Sequence, residues 1–341
     1  MPELMPVVLR GGVTGRPLLP ANRERGSCCT IGNFDGVHLG HQYLLSAVRL
    51  ASNRLDLPNR IVITFHPHPL MVLGRLNNVR MLTTFRQRCA LFATSGITAV
   101  RQVRFSRGVA ILSAEEFFRA VIIEELACRH LVLGPDTALG RGREGTLDKL
   151  QEIAGRYGCT TEVISCIEAP AGSHREGKVS SRRIREEIAE GQVADAAVLL
   201  GRPFSVQGRV MHGDKRGRLI GFPTINISLA GRVIPRLGVY ACLVAVNESV
   251  YPAAANVGVR PTFGGNAPIL EAHLLGVEGI DFYGKRAELY FLERVRDEKT
   301  FSGVDALKEQ IKQDCHVAGE VCRVALANTD VMLRVHTDKS C

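Results

Sequence analysis

The stretch that most limits what this chain can fold into runs from Thr30 to His41, T-I-G-N-F-D-G-V-H-L-G-H. Before it, Ser27–Ile31 reads as a buried strand. After it, Gln42–Leu55 carries apolar residues at helical spacing. A strand that turns through Gly32 and Gly36 into a helix start lets an anion approach the backbone and meet the first helical amides. His38 and His41, three apart at that helix start, are placed to donate hydrogen bonds to an α-phosphate as charge builds on it. Taken alone, two histidines read more often as ordinary loop residues. A zinc site lacks a third ligand nearby. The surrounding G-x-F-D-G-x-H-x-G-H pattern favours phosphate contact, and nucleotidyl transfer from ATP is the chemistry that suits it.

The strand–helix rhythm continues. Arg60–Phe65, Thr98–Val103, His130–Leu133 and Thr160–Ile167 read as strands, and Thr84–Thr94, Ala114–Cys128 and Leu147–Tyr157 as helices. This alternation predicts an α/β fold, a Rossmann-like parallel sheet with helices on both faces. Ligands bind such sheets beyond the carboxyl ends of the strands, where the turn at residues 33–41 lies. A polar loop, Ala169–Lys178, leads to a basic helix, Ser180–Glu190, stopped by Gly191, and a short one at Ala194–Leu200. After Gly201-Arg202-Pro203 the pattern becomes short strands between Gly and Pro: Phe204–Met211, Thr224–Ile227, Val239–Val246, Tyr251–Val257, Ile269–Leu275 and Ala287–Leu292. These predict a small β-barrel closed by one helix, Val304–Lys312. A length of 341 residues fits two domains, expected at 15–200 and 201–320, and the last twenty residues carry no clear signal.

The charge sum of 43 − 34 = +9 fits nucleic acid or phosphate-bearing substrates. Dispersed arginines, 6% aromatics and no Trp argue for small phosphorylated substrates and against a base-stacking surface. The first 26 residues lack the apolar block of a signal peptide, and Ile61–Gly74, with two His and two Pro, is too short to cross a bilayer. The expectation is a soluble cytoplasmic protein with no membrane or nucleic-acid partner. Ten cysteines without a C-x-x-C pair read as free, mostly buried thiols.

Further motifs point the same way. In Phe65-His66-Pro67-His68-Pro69 the prolines are expected to hold an extended loop, with His68 either solvent-exposed or lining the site. Ser180-Ser181-Arg182-Arg183-Ile184-Arg185 sets hydroxyls and guanidiniums at a helix start, suited to a leaving pyrophosphate or to a solvated basic face. Gly213, Gly217 and Gly221 with Lys215 make a basic flap able to cover phosphates. Pro223-Thr224-Ile225-Asn226 then offers hard oxygens suited to Mg²⁺. Glu271 and His273 share one face of an alternating strand, where a carboxylate can take a proton from an attacking alcohol. Three phosphate-motif matches fail. Gly140–Gly145 is charged and does not directly follow a strand. Gly172–Lys178 and Gly279–Lys285 lack the Ser or Thr that would follow the lysine.

Together these motifs resemble the bifunctional prokaryotic riboflavin kinase/FMN adenylyltransferase (FAD synthetase) family. The resemblance runs from about residue 15 to Asp314 and rests on G-N-F-D-G-V-H-L-G-H, F-H-P-H-P, L-T-T-F-R-Q-R, V-S-S-R-R-I-R, G-R-P-F, G-F-P-T-I-N, G-V-Y, N-V-G-V-R-P-T-F-G, L-E-A-H-L, D-F-Y-G-K and Q-I-K-Q-D. It implies ATP-dependent phosphorylation of riboflavin to FMN by the second domain and adenylylation of FMN to FAD by the first. The implied roles are transition-state stabilisation by His38 and His41, a base at Glu271, and Thr224 and Asn226 on magnesium and phosphate. Further contacts to nucleotide or flavin are expected from Gly32, Asn33, Phe34, Asp35, Gly36, His68, Asp136, Ser180, Ser181, Arg185, Gly213, Lys215, Gly217, Gly221 and Pro223. The sequence departs from the family in two places. Asp136-Thr137-Ala138-Leu139-Gly140 stands for an aromatic D-F-x-F-G segment, and Arg182 follows Ser180-Ser181 where the family has Thr. These departures define a second reading, an active kinase with an impaired or altered nucleotidyltransferase domain.

Overall fold

The computed structural model describes residues 5–18, 23–74, 80–170, 176–211, 221–229, 231–262, 265–277 and 282–327, with backbone alone at 260–262 and 265–267. The expected contacts Gly213, Lys215 and Gly217 lie outside the described residues. The chain forms two compact units. One takes residues up to 79 together with 85–168, and the other takes 80–84 and residues from 169 onward.

The first unit is a six-stranded parallel sheet. Its strands are β1 (Val7–Gly11), β2 (Ser27–Ile31), β3 (Asn59–His66), β4 (Ala99–Arg104), β5 (Cys128–Leu133) and β6 (Thr160–Val163), in the order β1-β4-β3-β2-β5-β6. β2 is wholly buried, and its vicinal cysteines show why. Successive strand residues point to opposite faces. Cys28 enters the cluster with Leu45 and Val48 of α1 (Leu39–Arg54) and Phe92 of α2 (Phe85–Thr94). Cys29 enters the opposite cluster, with Ala114 and Phe117 of α3 (Ala114–Phe117) and Leu150 and Ile153 of α4 (Leu147–Arg156). Both faces are therefore covered, as a parallel sheet requires. The nine described cysteines are free and seven are buried. Strand β1 was not legible in the sequence. It is a five-residue edge strand running parallel to β4.

The helix expected over Ala114–Cys128 is α3 followed by a π-helical run, Phe118–Glu125. Glu125 at its end is 0% exposed. It accepts from Arg101 Nε (2.9 Å) and from the Thr14 and Gly15 amides (2.7 and 3.3 Å). Arg101, also 0% exposed, donates to the carbonyls of Leu9, Gly11 and Gly12, which holds the end of β1 and the residue after it onto the core.

The second unit carries α5 (Ser181–Glu190), α6 (Val193–Leu200) and a closed antiparallel barrel. Its strands are β7 (Phe204–Met211), β8 (Thr224–Ile227), β9 (Gly238–Val246), β10 (Ser249–Thr262), β11 (Gly265–Leu274) and β12 (Arg286–Arg296), in the order β10-β11-β8-β7-β12-β9. β9 is buried along nearly its whole length because α7 (Val304–Ala327) covers the face that the barrel interior does not. Leu243, Tyr290 and Cys322 form the small core between them. α7 runs well past the expected Lys312. Its buried residues, Asp314, Ala318 and Cys322, follow a four-residue spacing but include no large aliphatic side chain.

Candidate active sites

β2 is flanked by β3 on one side and β5 on the other, so the chain order reverses at its carboxyl end. A crevice opens at such a point in a parallel sheet. The turn 32–38 lies there. Its course is unusual: Phe34, Gly36 and Val37 have φ of 52°, 85° and 40°. Only Gly36 is at ease in the left-handed region. The Phe and Val conformations cost on the order of 1–3 kcal/mol each unless their surroundings hold them. Burial supplies part of that hold, since Phe34 is 1% and Val37 0% exposed in the core cluster. Phe34 meets Phe92 edge-on at 5.5 Å and the His41 ring at 5.1 Å. Phe34 and Asp35 (2% exposed) thus lie beneath the turn. Any ligand contact from Phe34 passes through its backbone.

His38 is the N-cap of α1. Its Nδ1 accepts the His41 amide proton (3.3 Å), and the two imidazoles stack at 3.7 Å with an 18° tilt. With Nδ1 accepting, the neutral His38 ring carries its proton on Nε2. The helix start therefore presents an N–H donor from a ring locked by its own cap. His68 caps a single helical turn, Pro69–Val72, with Nδ1 accepting from the Leu70 amide at 3.2 Å. The chain bends at Pro67 and Pro69 opens that turn at its first position, so the expected extended loop is instead a bend followed by a helical turn.

Other expected contacts have visible structural roles. The Asp136 carbonyl accepts from Arg143 (2.9 Å). Leu139 is 7% exposed and belongs to the sheet core, and its backbone pairs with Gly145. The second of the two substituted aromatic positions is thus a packing position. Gly140 has φ 75°, and a Cβ there would come within 2.4 Å of the Ala114 nitrogen, so the glycines of the Gly140–Gly145 match serve a tight turn against α3. In the second unit Ser180 caps α5, accepting the Arg183 amide (3.3 Å), while Gly191 ends it at φ 87°. Arg185 donates to the Arg80 carbonyl (3.0 Å) and the Ser181 carbonyl (3.2 Å). Arg182 is paired on the surface with Glu186.

The barrel brings the remaining residues together by register. Glu271 on β11 stands opposite Asn226 on β8 and, on its other side, Asn256 on β10. Cross-strand partners share a face. The row is therefore amide, carboxylate, amide. The adjacent row on that face is Thr224, His273 and Ala254. His273 Nδ1 donates to the Pro223 carbonyl (2.8 Å), and its ring meets Phe222 edge-on. All residues of these two rows but Asn226 line a cavity of about 620 Å³ whose wall also includes Phe301 with Leu307, Ile311 and Asp314 of α7. Arg296 fixes that wall. It pairs through two bonds with Asp314 (2.8 and 2.7 Å) and lies over the Phe301 ring. Cys315, also lining the cavity, has its pKa pushed up to about 11 by burial and stays a neutral thiol. Asn256, Arg296 and the α7 wall were not assigned from sequence, because their partners are remote along the chain.

Thr224 and Asn226 offer hard oxygens of the kind that suits magnesium completed by water and phosphate oxygens. Among the described residues no cluster of three His, Cys, Asp or Glu could hold another metal, and no helix is long and apolar enough to cross a membrane.

A riboflavin kinase family model matches residues 200–322 and an FAD synthetase family model residues 21–183. The bifunctional riboflavin kinase/FMN adenylyltransferase of Escherichia coli K12 is 37% identical over 85% of this chain and 91% of its own length. That of Pseudomonas fluorescens is 37% identical over 86% and 93%. A crystal structure of a macrolide-efflux protein from Streptococcus pneumoniae superposes with a TM-score of 0.81 at 29% identity, covering 92% of this chain and 99% of that one. With both family models matched in order and this identity across nearly the full length of its relatives, the chain belongs to the bifunctional riboflavin kinase/FMN adenylyltransferase family.

Proposed function

We propose that the chain's two reactions, phosphorylation of riboflavin to FMN and adenylylation of FMN to FAD with release of pyrophosphate, run at separate sites: the barrel cavity and the start of α1. The observation that carries this reading is the separation of two chemically different constellations. One is a pair of stacked, capped imidazoles at a helix start. The other is a carboxylate held in register between two amides.

In the barrel, the apolar wall of Phe301, Leu307 and Ile311 matches a flat aromatic ring system, while Asn256 and Glu271 match its hydroxylated chain. Glu271 takes the proton of the primary hydroxyl as that oxygen attacks the γ-phosphorus of ATP and ADP leaves. Thr224 and Asn226 would hold the magnesium of the nucleotide, which, when bound, supplies charge neutralisation on the transferring phosphoryl group.

At α1, a phosphate oxygen of FMN attacks the α-phosphorus of ATP and the bond to pyrophosphate breaks. His38, with its proton on Nε2, donates to a non-bridging oxygen as charge develops there, and the dipole of the helix start adds to that field. His41 is held by stacking as the second donor. No covalent enzyme intermediate is required.

Chromatographic product analysis tests this. Wild type given riboflavin, ATP and Mg²⁺ yields FMN and FAD. His38→Ala accumulates FMN, and Glu271→Ala makes no FMN yet converts supplied FMN to FAD. Both variants behaving as wild type would overturn the site assignment.

A further inference from the structure

Arg88 of α2 is a buried cation with no role in the chemistry above. It is 4% exposed, and burial lowers its pKa while the Asp35 carboxylate opposes that shift. Its Nη1 donates to the Asn33 carbonyl at 2.6 Å and reaches Thr64 Oγ1 at 3.5 Å. Thr64, on β3, donates to the same carbonyl at 3.3 Å. The guanidinium carbon lies 5.6 Å from the Phe85 ring centroid, which fixes the plane of the fork from its own helix.

The bonded carbonyl is significant. Asn33 immediately precedes Phe34, the first left-handed residue of the turn, and the turn ends at His38. A left-handed bulky residue persists only where its surroundings over-determine it. Core packing of Phe34 and Val37 sets the side chains, but packing alone does not fix the orientation of the peptide that enters the turn. Arg88 does so with a short, charge-assisted bond, and its charge faces Asp35 within the same turn.

We infer that Arg88 is a positioning residue for the adenylyl transfer, holding the 33–38 turn in the shape that aims the His38 and His41 rings and the α1 amides at the reacting phosphate. The inference rests on the assignment of adenylyl transfer to this turn. Arg88 acts through the turn, so its loss falls on kcat: a misaimed donor stabilises the transition state poorly while ATP still binds. A lysine keeps the charge and one donor but loses the planar fork.

The test is steady-state FMN adenylylation and riboflavin phosphorylation by full-length wild type, Arg88→Met and Arg88→Lys, with thermal unfolding of each. The expected result is a kcat for FAD formation reduced about 100-fold in Arg88→Met and about 10-fold in Arg88→Lys. ATP KM stays within about threefold and riboflavin phosphorylation is unchanged. If Arg88→Met fails to unfold cooperatively, Arg88→Lys decides. A wild-type kcat in Arg88→Lys then overturns the inference. So does wild-type kcat in a folded Arg88→Met, or an effect confined to ATP KM, which would make Arg88 a binding contact. Wild type that makes no FAD, or His38→Ala that makes it at the wild-type rate, removes the underlying assignment and the inference with it.

Discussion

The two candidate sites differ in how they are built. The turn at 32–41 is one short segment, and its difficulty is internal. Two non-glycine residues sit in the left-handed region, held from below by buried aromatics and from the side by Arg88. Among the described residues the barrel site has no such strained segment. Its row of Asn226, Glu271 and Asn256 comes from three strands, and part of its wall from α7 by way of the Arg296–Asp314 pair. The first site depends on local backbone shape and the second on long-range register. Even the histidines reflect this. His38 Nδ1 accepts from a backbone amide three residues on, whereas His273 Nδ1 donates to a carbonyl fifty residues away.

The largest effect that tests this contrast is catalytic. His38→Ala is expected to lower FAD formation on the order of 10²–10³-fold, and Glu271→Gln to lower riboflavin phosphorylation on the order of 10²–10⁴-fold. Each leaves the other reaction unchanged. Rate assays that found both reactions falling together in either variant would break the separation.

Stability comes next. Glu125→Ala leaves the buried Arg101 charge without its carboxylate and is expected to cost about 3–5 kcal/mol. Denaturant unfolding followed with both activities would show FAD formation lost at lower denaturant than in wild type, with FMN formation less affected. Asp314→Ala removes the paired acceptor of Arg296, which is 15% exposed and so retains some access to water. The expected cost is about 1–3 kcal/mol. It appears chiefly as a raised riboflavin KM with the adenylylation rate intact. A change in adenylylation rate alone would contradict the role of α7 as the cavity wall.

The smallest effect is a pH dependence of the first unit. His130 is buried beside Glu162, and burial outweighs the carboxylate, so its pKa lies below the usual 6.5. Below about 6.5 the unfolded chain binds a proton that the folded chain resists. Stability is therefore lost as pH falls from that value toward the folded pKa. Urea titrations at pH 7.5 and 5.5 check the sign, and His130→Gln should flatten the slope.

Much of this was legible beforehand, and the reason differs by region. The turn 32–41 could be read because its glycines, histidines and flanking apolar periodicities are contiguous. The βα rhythm could be read because each helix buries one face on a strand nearby in sequence. Strand β1 could not, since five edge residues between Pro and Gly carry too little pattern. The length of α7 was hidden because its buried positions are Asp314, Ala318 and Cys322, and Asp314 is inward only because Arg296 meets it. Arg88 was visible within L-T-T-F-R-Q-R, but nothing local shows that a helical arginine points inward at the Asn33 carbonyl. Leu139 likewise stands where the family has an aromatic residue and is part of the core, which the local sequence does not show.

The amino-acid order by itself determined the two architectures, the strand-to-helix turn with its paired imidazoles, and the residue types offered to phosphate and hydroxyl groups. These follow from periodicity and backbone preference, which act over a few bonds. Tertiary structure alone decided that Glu271 stands between Asn226 and Asn256, that α7 walls the cavity, and that Arg88 steadies the turn. Those contacts join segments tens of residues apart, and strand register and helix docking are set by burial summed over the whole fold, not by any short segment.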